Sequence, residues 1–432
     1  MLGGVLYAKA MRSRNYMTML DPLSERYGHR TVALLFTASF LGDLLWSASV
    51  LAALGTTLNV LFGVSFKIAA PIAAILTIIY TFFGQMLAVA YTDVVQMVTI
   101  LVGLWMGFIL LLTDPVLPLF DDNSTVQNGT SSPSWLGEIQ PADIPSWIDF
   151  LLAMILGSIP WQAYFQRVLS TKTPIHAQFL SVIAGVSALI VAIPPAVIGA
   201  AATTVNFTET EFGKQLSDDD IRSILPLSFR YLCANTYASI AGLSAIAAGV
   251  FSSMDSAVLG SSSMFTFNIY RPLFRPLASD GELLWVQRIS ICIVGVIATL
   301  LAVFSDSVYA MFTLAADLVY CLMLPQLTAA LFFKSGNFFG SSFTFLCSTL
   351  CRILAGQPDL GIPEYIPPTF PFRTTIVICA LVAIPLVSEI YEKIVGKLKE
   401  ERSDSQNSSA PLQFNSSSDP TGKLIYSSTS VV

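Results

Sequence analysis

The sequence predicts an all-α protein that crosses a membrane many times. Two observations carry this reading: of 432 residues, 54% are hydrophobic and only 12% are charged, and the apolar residues are gathered into long runs. A spanning helix needs roughly 20 mostly apolar residues to cross about 30 Å of hydrocarbon. About ten segments meet that length, near 33–60, 68–90, 93–113, 146–170, 176–203, 237–268, 288–305, 308–333, 337–354 and 375–395.

Orientation follows from the basic residues, because cytoplasmic loops retain Lys and Arg. If the loop from Lys9 to Arg30 lies inside and the chain alternates, sixteen basic residues fall inside and six outside, which puts both termini in the cytoplasm. Asn123, Asn128 and Asn206 each precede a Thr by two residues, and all three fall in polar loops assigned outside, as N-glycosylation acceptors require. The net charge of −6 resides largely in acidic loops and gives no basis for nucleic-acid binding. Of the six cysteines, only Cys233 lies in an outside loop; Cys347 and Cys351 are one helical turn apart, but no His supports a metal site there.

The ends are distinctive. About eight apolar residues at the N-terminus run directly into a basic loop, the reverse of a signal peptide and too short to span. They read as the inner end of a helix whose outer part is missing. From 396 onward the chain is rich in charged residues and then in Ser, Asn, Asp and Pro, and is expected to be a disordered cytoplasmic tail. Its last residues, Ser430, Val431 and Val432, could add as a strand to a PDZ domain or simply stay unbound.

Polar residues at membrane depth are functional candidates because their burial is costly. Asp43, Asp93, Asp255 and Asp317 fall in or at the edge of predicted spans. Asp93 can act in transport or cap a helix start. Asp317 can act in transport or bond a neighbouring helix. In the sixth span Gly249, Ser252, Ser253 and Ser256 follow the spacing of one helical face. Two adjacent hydroxyls and a nearby carbonyl offer hard oxygen ligands suited to Na⁺, while close helix packing explains small residues equally.

The stretch GSIPWQAYFQRVL, from Gly157 to Leu169, interrupts an apolar run with Pro160, which bends or breaks a helix because it lacks an N–H and clashes with the preceding turn. Beyond the break, helical spacing puts Trp161, Tyr164 and Phe165 on one face, and the first span adds Trp46 one turn from Asp43. Aromatic faces attract cations, quaternary ammonium groups among them. Each single Trp also has the ordinary reading of an interfacial anchor.

The segments LYAKAMRSRNYMTMLDP, AYTDVVQ, LGSIPWQAYFQRVLS, SSMDSAVLGSSSMFTFNIY and ADLVYCLMLPQ resemble the sodium:solute symporter family, strongly from Met1 to about Phe333 and less so beyond. The resemblance implies a LeuT-like inverted-repeat transporter fold, in which two five-helix repeats place solute and ion at broken helices. It divides the chain into a remnant helix and basic loop (1–32), three helices of a first repeat (33–113), an extracellular loop (114–145), a second five-helix repeat (146–333), two accessory helices (334–395) and a tail (396–432). It implies sodium-coupled, high-affinity uptake of choline for acetylcholine synthesis, with no enzymatic activity and no cofactor beyond Na⁺ and, by the resemblance alone, Cl⁻. Trp161, Trp46 and Tyr164 would bind the solute. Gly249, Ser252 and Ser253 would bind sodium; Asp93, Asp255 and Asp317 would serve transport; and Asn206 matches a glycosylated position. It also implies residence in the plasma membrane, at presynaptic membranes and synaptic vesicles, and allows a homo-oligomer.

In that family an extra helix and two core helices precede the point that matches Met1, so transport by this chain is expected to be impaired. Two alternatives stand beside choline uptake: a symporter of another organic solute, and a non-transporting form that regulates a full-length transporter.

Overall fold

The computed structural model describes residues 1–113, 139–202, 205–221, 223–305, 307–408, 416–418 and 424–426. Among these, α1 (Lys9–Ser13), preceded by a π-helical turn, and α2 (Asp21–Tyr27) lead into the 34-residue α3 (His29–Phe62). Gly28 (φ 81°) opens α3 and Gly63 (φ 66°) closes it, each in a conformation that costs glycine no Cβ clash. After α3 come α4 (Phe66–Leu112), α5 (Ile144–Gly157), α6 (Gln162–Leu169), α7 (Pro174–Ala202), and the short α8 (Asp218–Ile221) and α9 (Ile224–Tyr231). The remainder is α10 (Thr236–Met264), α11 (Asp280–Phe304), α12 (Val308–Leu318), α13 (Leu324–Phe332), α14 (Phe338–Leu354) and α15 (Phe372–Ser408). A π-helical segment extends α10 to Phe274, and a second joins α12 to α13 just ahead of Pro325. The wider turn is a common response where a proline removes a backbone donor.

Among the described residues, seven helices are long and apolar enough to cross a membrane. The predicted count of ten is recovered by geometry rather than length. First, α4 is not one rod: Gln85 has φ 46° and ψ −142° inside it. Tyr80, before Gln85, bonds Asp255 of α10, and Asp93, beyond it, bonds Ser252 one turn away on the same helix. Thirteen residues of straight helix would separate Tyr80 from Asp93 by about 20 Å, so the chain reverses at Gln85 and α4 supplies two spans. Next, α5 and α6 form one span with a gap between them, and α14, at 17 residues, is a shorter apolar helix.

Packing centres on α10. Both arms of α4 and the inner face of α3 lie against it, with Leu44, Ala48 and Leu51 of α3 meeting Met254 and Val258 of α10 in one buried cluster. Small residues let the helices approach. A Cβ on Gly103 of α4 would lie 2.9 Å from that of Ala245, and one on Gly107 would strike the Phe229 ring.

The accessory helices are held by charge. Asp317 of α12 is fully buried and accepts from Arg373 Nε (2.5 Å), while Arg352 of α14 lies 3.0 Å from its other oxygen. Asp149 of α5 accepts the backbone N–H groups of Arg373 (3.1 Å) and Thr374 (2.6 Å), satisfying donors left free at the start of α15. Arg352 also donates to Gly356 O (2.8 Å), and both guanidinium groups lie against the Phe372 ring. Four helices thus share one buried set of two carboxylates and two guanidinium groups. Of the two readings open for Asp317, the bond to a neighbouring helix is present: its carboxylate meets Arg352 of α14 and Arg373 of α15. Arg352 and Arg373, which the sequence places in an outer loop, are drawn into the protein by these partners.

The tail also differs from expectation. Helix α15 runs through residues 396–408 instead of ending at 395, and 416–418 pair antiparallel with 424–426. Asn123, Asn128 and the Ser430–Val432 terminus lie outside the described residues.

Removing one member of a buried ion pair leaves its partner's charge uncompensated, at a cost of about 3 to 5 kcal/mol. Arg352→Met is therefore expected to lower the thermal unfolding temperature of the detergent-solubilised protein markedly. Arg30→Met, at an exposed position, is expected to leave it unchanged.

Candidate functional site

The break in the fourth span places the site. Helix α5 ends at Gly157, and Trp161 is extended (φ −104°, ψ 132°) before α6 begins at Gln162. Pro160 cannot donate, and the gap is closed by local bonds from Ile159 N to Leu156 O (3.1 Å) and from Trp161 N to Ile159 O (2.9 Å). Gly157 allows the break to sit against the end of α12 and the π-helical segment beyond it, since a Cβ there would be 3.0 Å from that of Tyr320 and 3.3 Å from Ala316 O. The extended residue directs the Trp161 ring toward α3, where its centroid lies 5.6 Å from that of Trp46. Trp46 in turn lies 5.5 Å from Phe312 of α12.

These three half-buried rings border a cavity of about 470 Å³, completed by Gly157, Ser158 and Ala316 and, on α10, by Ser252, Ser253 and Ser256. A second cavity of about 670 Å³ shares Trp46, Phe312, Ser252 and Ser253 and extends past Gly249 and Tyr309. The aromatic rings and the paired serines therefore form a divide that faces both spaces.

The polar side of the first cavity is a connected network. Asp93 of α4 accepts from Arg167 of α6 (2.6 Å) and from the Ser252 hydroxyl (2.5 Å). Arg167 also donates to the Ser256 hydroxyl (2.6 Å), which donates to Ser252 O (2.7 Å). Ser253 donates to Gly249 O (2.9 Å), so the hydroxyl and carbonyl named from the sequence are in contact. Asp255 is fully buried and accepts from Tyr80 (2.8 Å), with the Ser256 hydroxyl 3.2 Å from its other oxygen. Hydroxyl, carboxylate and carbonyl oxygens are thus concentrated along two turns of α10 and the facing Asp93 of α4, a donor set fitted to a hard monovalent cation.

Of the sequence-predicted residues, Trp46, Trp161, Gly249, Ser252, Ser253, Asp93 and Asp255 come together here. Tyr164 does not. Its hydroxyl bonds Ser181 of α7 (2.8 Å) and its ring packs on Phe165, away from the aromatic pair. The expectation assumed helical spacing from Trp161, but Trp161 is extended, so Tyr164 starts a different face. Asp93 does not cap a helix start; it lies within α4 and is spent on Arg167 and Ser252. Asn206 is exposed, its side chain folded onto Thr208 and Glu209 in the loop after α7. Sequence reasoning missed Phe312, Arg167 and Tyr80. The first is one apolar residue among many, and Tyr80 likewise carries no local mark. Arg167 was visible as a cation at the end of a span but was counted only for orientation.

Residues 1–345 match the sodium:solute symporter family. The chain is 36% identical to the human high affinity choline transporter 1, over 93% of this chain and 74% of the human protein. It is 38% identical to the Caenorhabditis elegans high-affinity choline transporter 1 (93% and 71%), and 41% identical to that of Torpedo marmorata (84% and 62%). Its fold is similar to that of a Na⁺-coupled sialic acid symporter in a substrate-bound, outward-open state, with a TM-score of 0.68 at 21% identity over 90% of this chain and 80% of that one. With a broken helix, a flanking aromatic pair and an oxygen-rich stretch of α10 in this arrangement, the chain belongs to the sodium:solute symporter family.

Proposed function

We propose that the protein takes up choline with sodium across the plasma membrane. The observation that carries this reading is the aromatic wall of Trp46, Trp161 and Phe312 around one cavity. A quaternary ammonium ion keeps its charge at every pH and has no N–H to donate, so a site for it is built from ring faces rather than hydrogen-bond acceptors. Each ring contact contributes about 0.5 to 2 kcal/mol, more as water is excluded. Sugars and carboxylate-bearing solutes call instead for converging hydrogen-bonding groups, which this wall lacks. The names of the relatives support the same solute.

Sodium binds at Gly249, Ser252 and Ser253, beside the aromatic wall, which lets one ion stabilise the helix that borders the solute. Asp93 accepts from Ser252 and from Arg167, so movement of the ion and rearrangement of this pair are coupled. Alternating access follows from rocking of the bundle that contains α5 and α6 against the rest. Both termini lie in the cytoplasm and the Asn206 loop lies outside, where its sequon is open to glycosylation. A requirement for chloride is part of the proposal on family resemblance alone.

The deciding experiment is uptake of labelled choline by cells expressing the chain completed with the family's preceding helices, in sodium and in lithium media, with unlabelled proline, glucose and sialic acid as competitors. Sodium-dependent choline uptake that these solutes leave unaffected is expected. Sodium-driven uptake of one of them, without choline, overturns the reading; replacing chloride with gluconate tests the anion separately.

Trp161→Ala and Phe312→Ala each remove one ring face. By the cation–π magnitude, apparent choline affinity should fall about 2- to 30-fold in concentration-dependent uptake, while Tyr164→Phe stays near wild type. Ser253→Ala should instead raise the sodium concentration for half-maximal uptake, with a smaller change in choline affinity at saturating sodium. A Ser253→Ala protein with unchanged sodium dependence would remove that residue from the ion site.

A further inference from the structure

Hydroxyls in membrane helices usually turn back onto their own backbone, and most in α3 do so. Thr37 donates to Leu34 O (2.7 Å), Ser49 to Trp46 O (2.8 Å), and Thr56 and Thr57 to Ala53 O (2.8 and 2.9 Å). Ser39 and Ser47 are exceptions. Both hydroxyls are buried without a partner among the described residues, and they stand one turn before and one turn after Asp43, whose carboxylate also has a buried oxygen with no partner among them. Ser39 and Asp43 are each 3% exposed. Across the interface on α10, Ser262 and Ser263 bond backwards to Leu259 O and Gly260 O, but the fully buried Ser261 hydroxyl makes no such bond and is turned to the Asp43 carboxylate instead.

The register of the two helices brings these groups level. Phe36 meets Phe265 at 6.3 Å between ring centroids, and Asp43 faces Ser261. Because α3 and α10 are antiparallel, Ser261 lies at the height between Ser39 and Asp43. Ser47 is one turn farther outward, and its eight-residue separation from Ser39, about 12 Å along the helix, excludes both from one ion's shell.

A carboxylate at this depth without a basic partner must gain a counter-charge. A proton neutralises the carboxyl and lets it exchange hydrogen bonds with the hydroxyls, but it does not gather their lone pairs on one centre. A small hard cation draws on all of them together. We propose that Asp43, Ser39 and Ser261 bind one Na⁺ between α3 and α10, separate from the Ser252 and Ser253 site, with Ser47 continuing the oxygen line toward the level of Trp46. Since α3 carries Trp46 and α10 carries Ser252 and Ser253, occupancy of this position fixes together the two helices that border the aromatic cavity.

Equilibrium binding of ²²Na⁺ to the purified full chain, without any organic solute, tests this independently of the choline reading. Asp43→Asn should lose one bound ion per protein that Ser252→Ala retains. Ser39→Ala and Ser261→Ala should weaken that ion by roughly ten- to a hundredfold. Size-exclusion chromatography identifies variants that fail to fold; if Asp43→Asn is among them, the two serine variants decide. Wild-type sodium stoichiometry in Asp43→Asn, or wild-type sodium affinity in both serine variants, overturns the site and leaves Asp43 a protonated carboxyl.

Discussion

Hydrocarbon offers no hydrogen bonds, and this constraint governs where the backbone can open. At 158–161 the chain leaves the helix, and every exposed group must then meet protein or a polar cavity. Here the opening is backed on one side by α12, through the bare Cα of Gly157, and on the other by the cavity that Trp161 faces. The aromatic pair, the approach of Phe312 and the position of Arg167 at the foot of the same break all follow from that interruption. A continuous helix would carry Trp161 around with the face that holds Tyr164, and the wall would not form.

The same constraint sorts the aspartates into different tasks. Asp317 and Asp149 are met by two guanidinium groups and by the N–H groups at the head of α15, and they join the accessory helices to α5 and α12. Asp93 shares its carboxylate between Arg167 and Ser252 at the edge of the cavity, where rearrangement costs less than in the closed set around Asp317. Asp255 is held by hydroxyls alone, and Asp43 has an oxygen with no partner among the described residues. Charge at membrane depth is therefore a marker of tension whose meaning depends on what lies opposite.

Much of the architecture was legible because its signals are local. Apolar runs of fixed length mark spans, Pro160 marks the break, and the spacing of Gly249, Ser252 and Ser253 marks one face of one helix. Trp46 and Trp161 were recognisable as a pair only through resemblance to a family. The sequence divided this region into spans near 68–90 and 93–113, but nothing marked Gln85 as the turning point, since glutamine is an ordinary helix former. Phe312 was invisible for a similar reason: an apolar residue in an apolar helix acquires a role only from what it touches.

By itself, then, the sequence determined the solvent, the number of crossings, the broken span and the chemical character of α10, because each depends on composition and on neighbours within a few residues. The tertiary structure decided which aromatic rings share a cavity, that Asp317 belongs to a structural charge cluster, that Tyr164 leaves the site and that Asp93 meets Arg167. These depend on contacts between residues far apart in the chain, and on the backbone angles of Trp161 and Gln85, where helical periodicity stops applying.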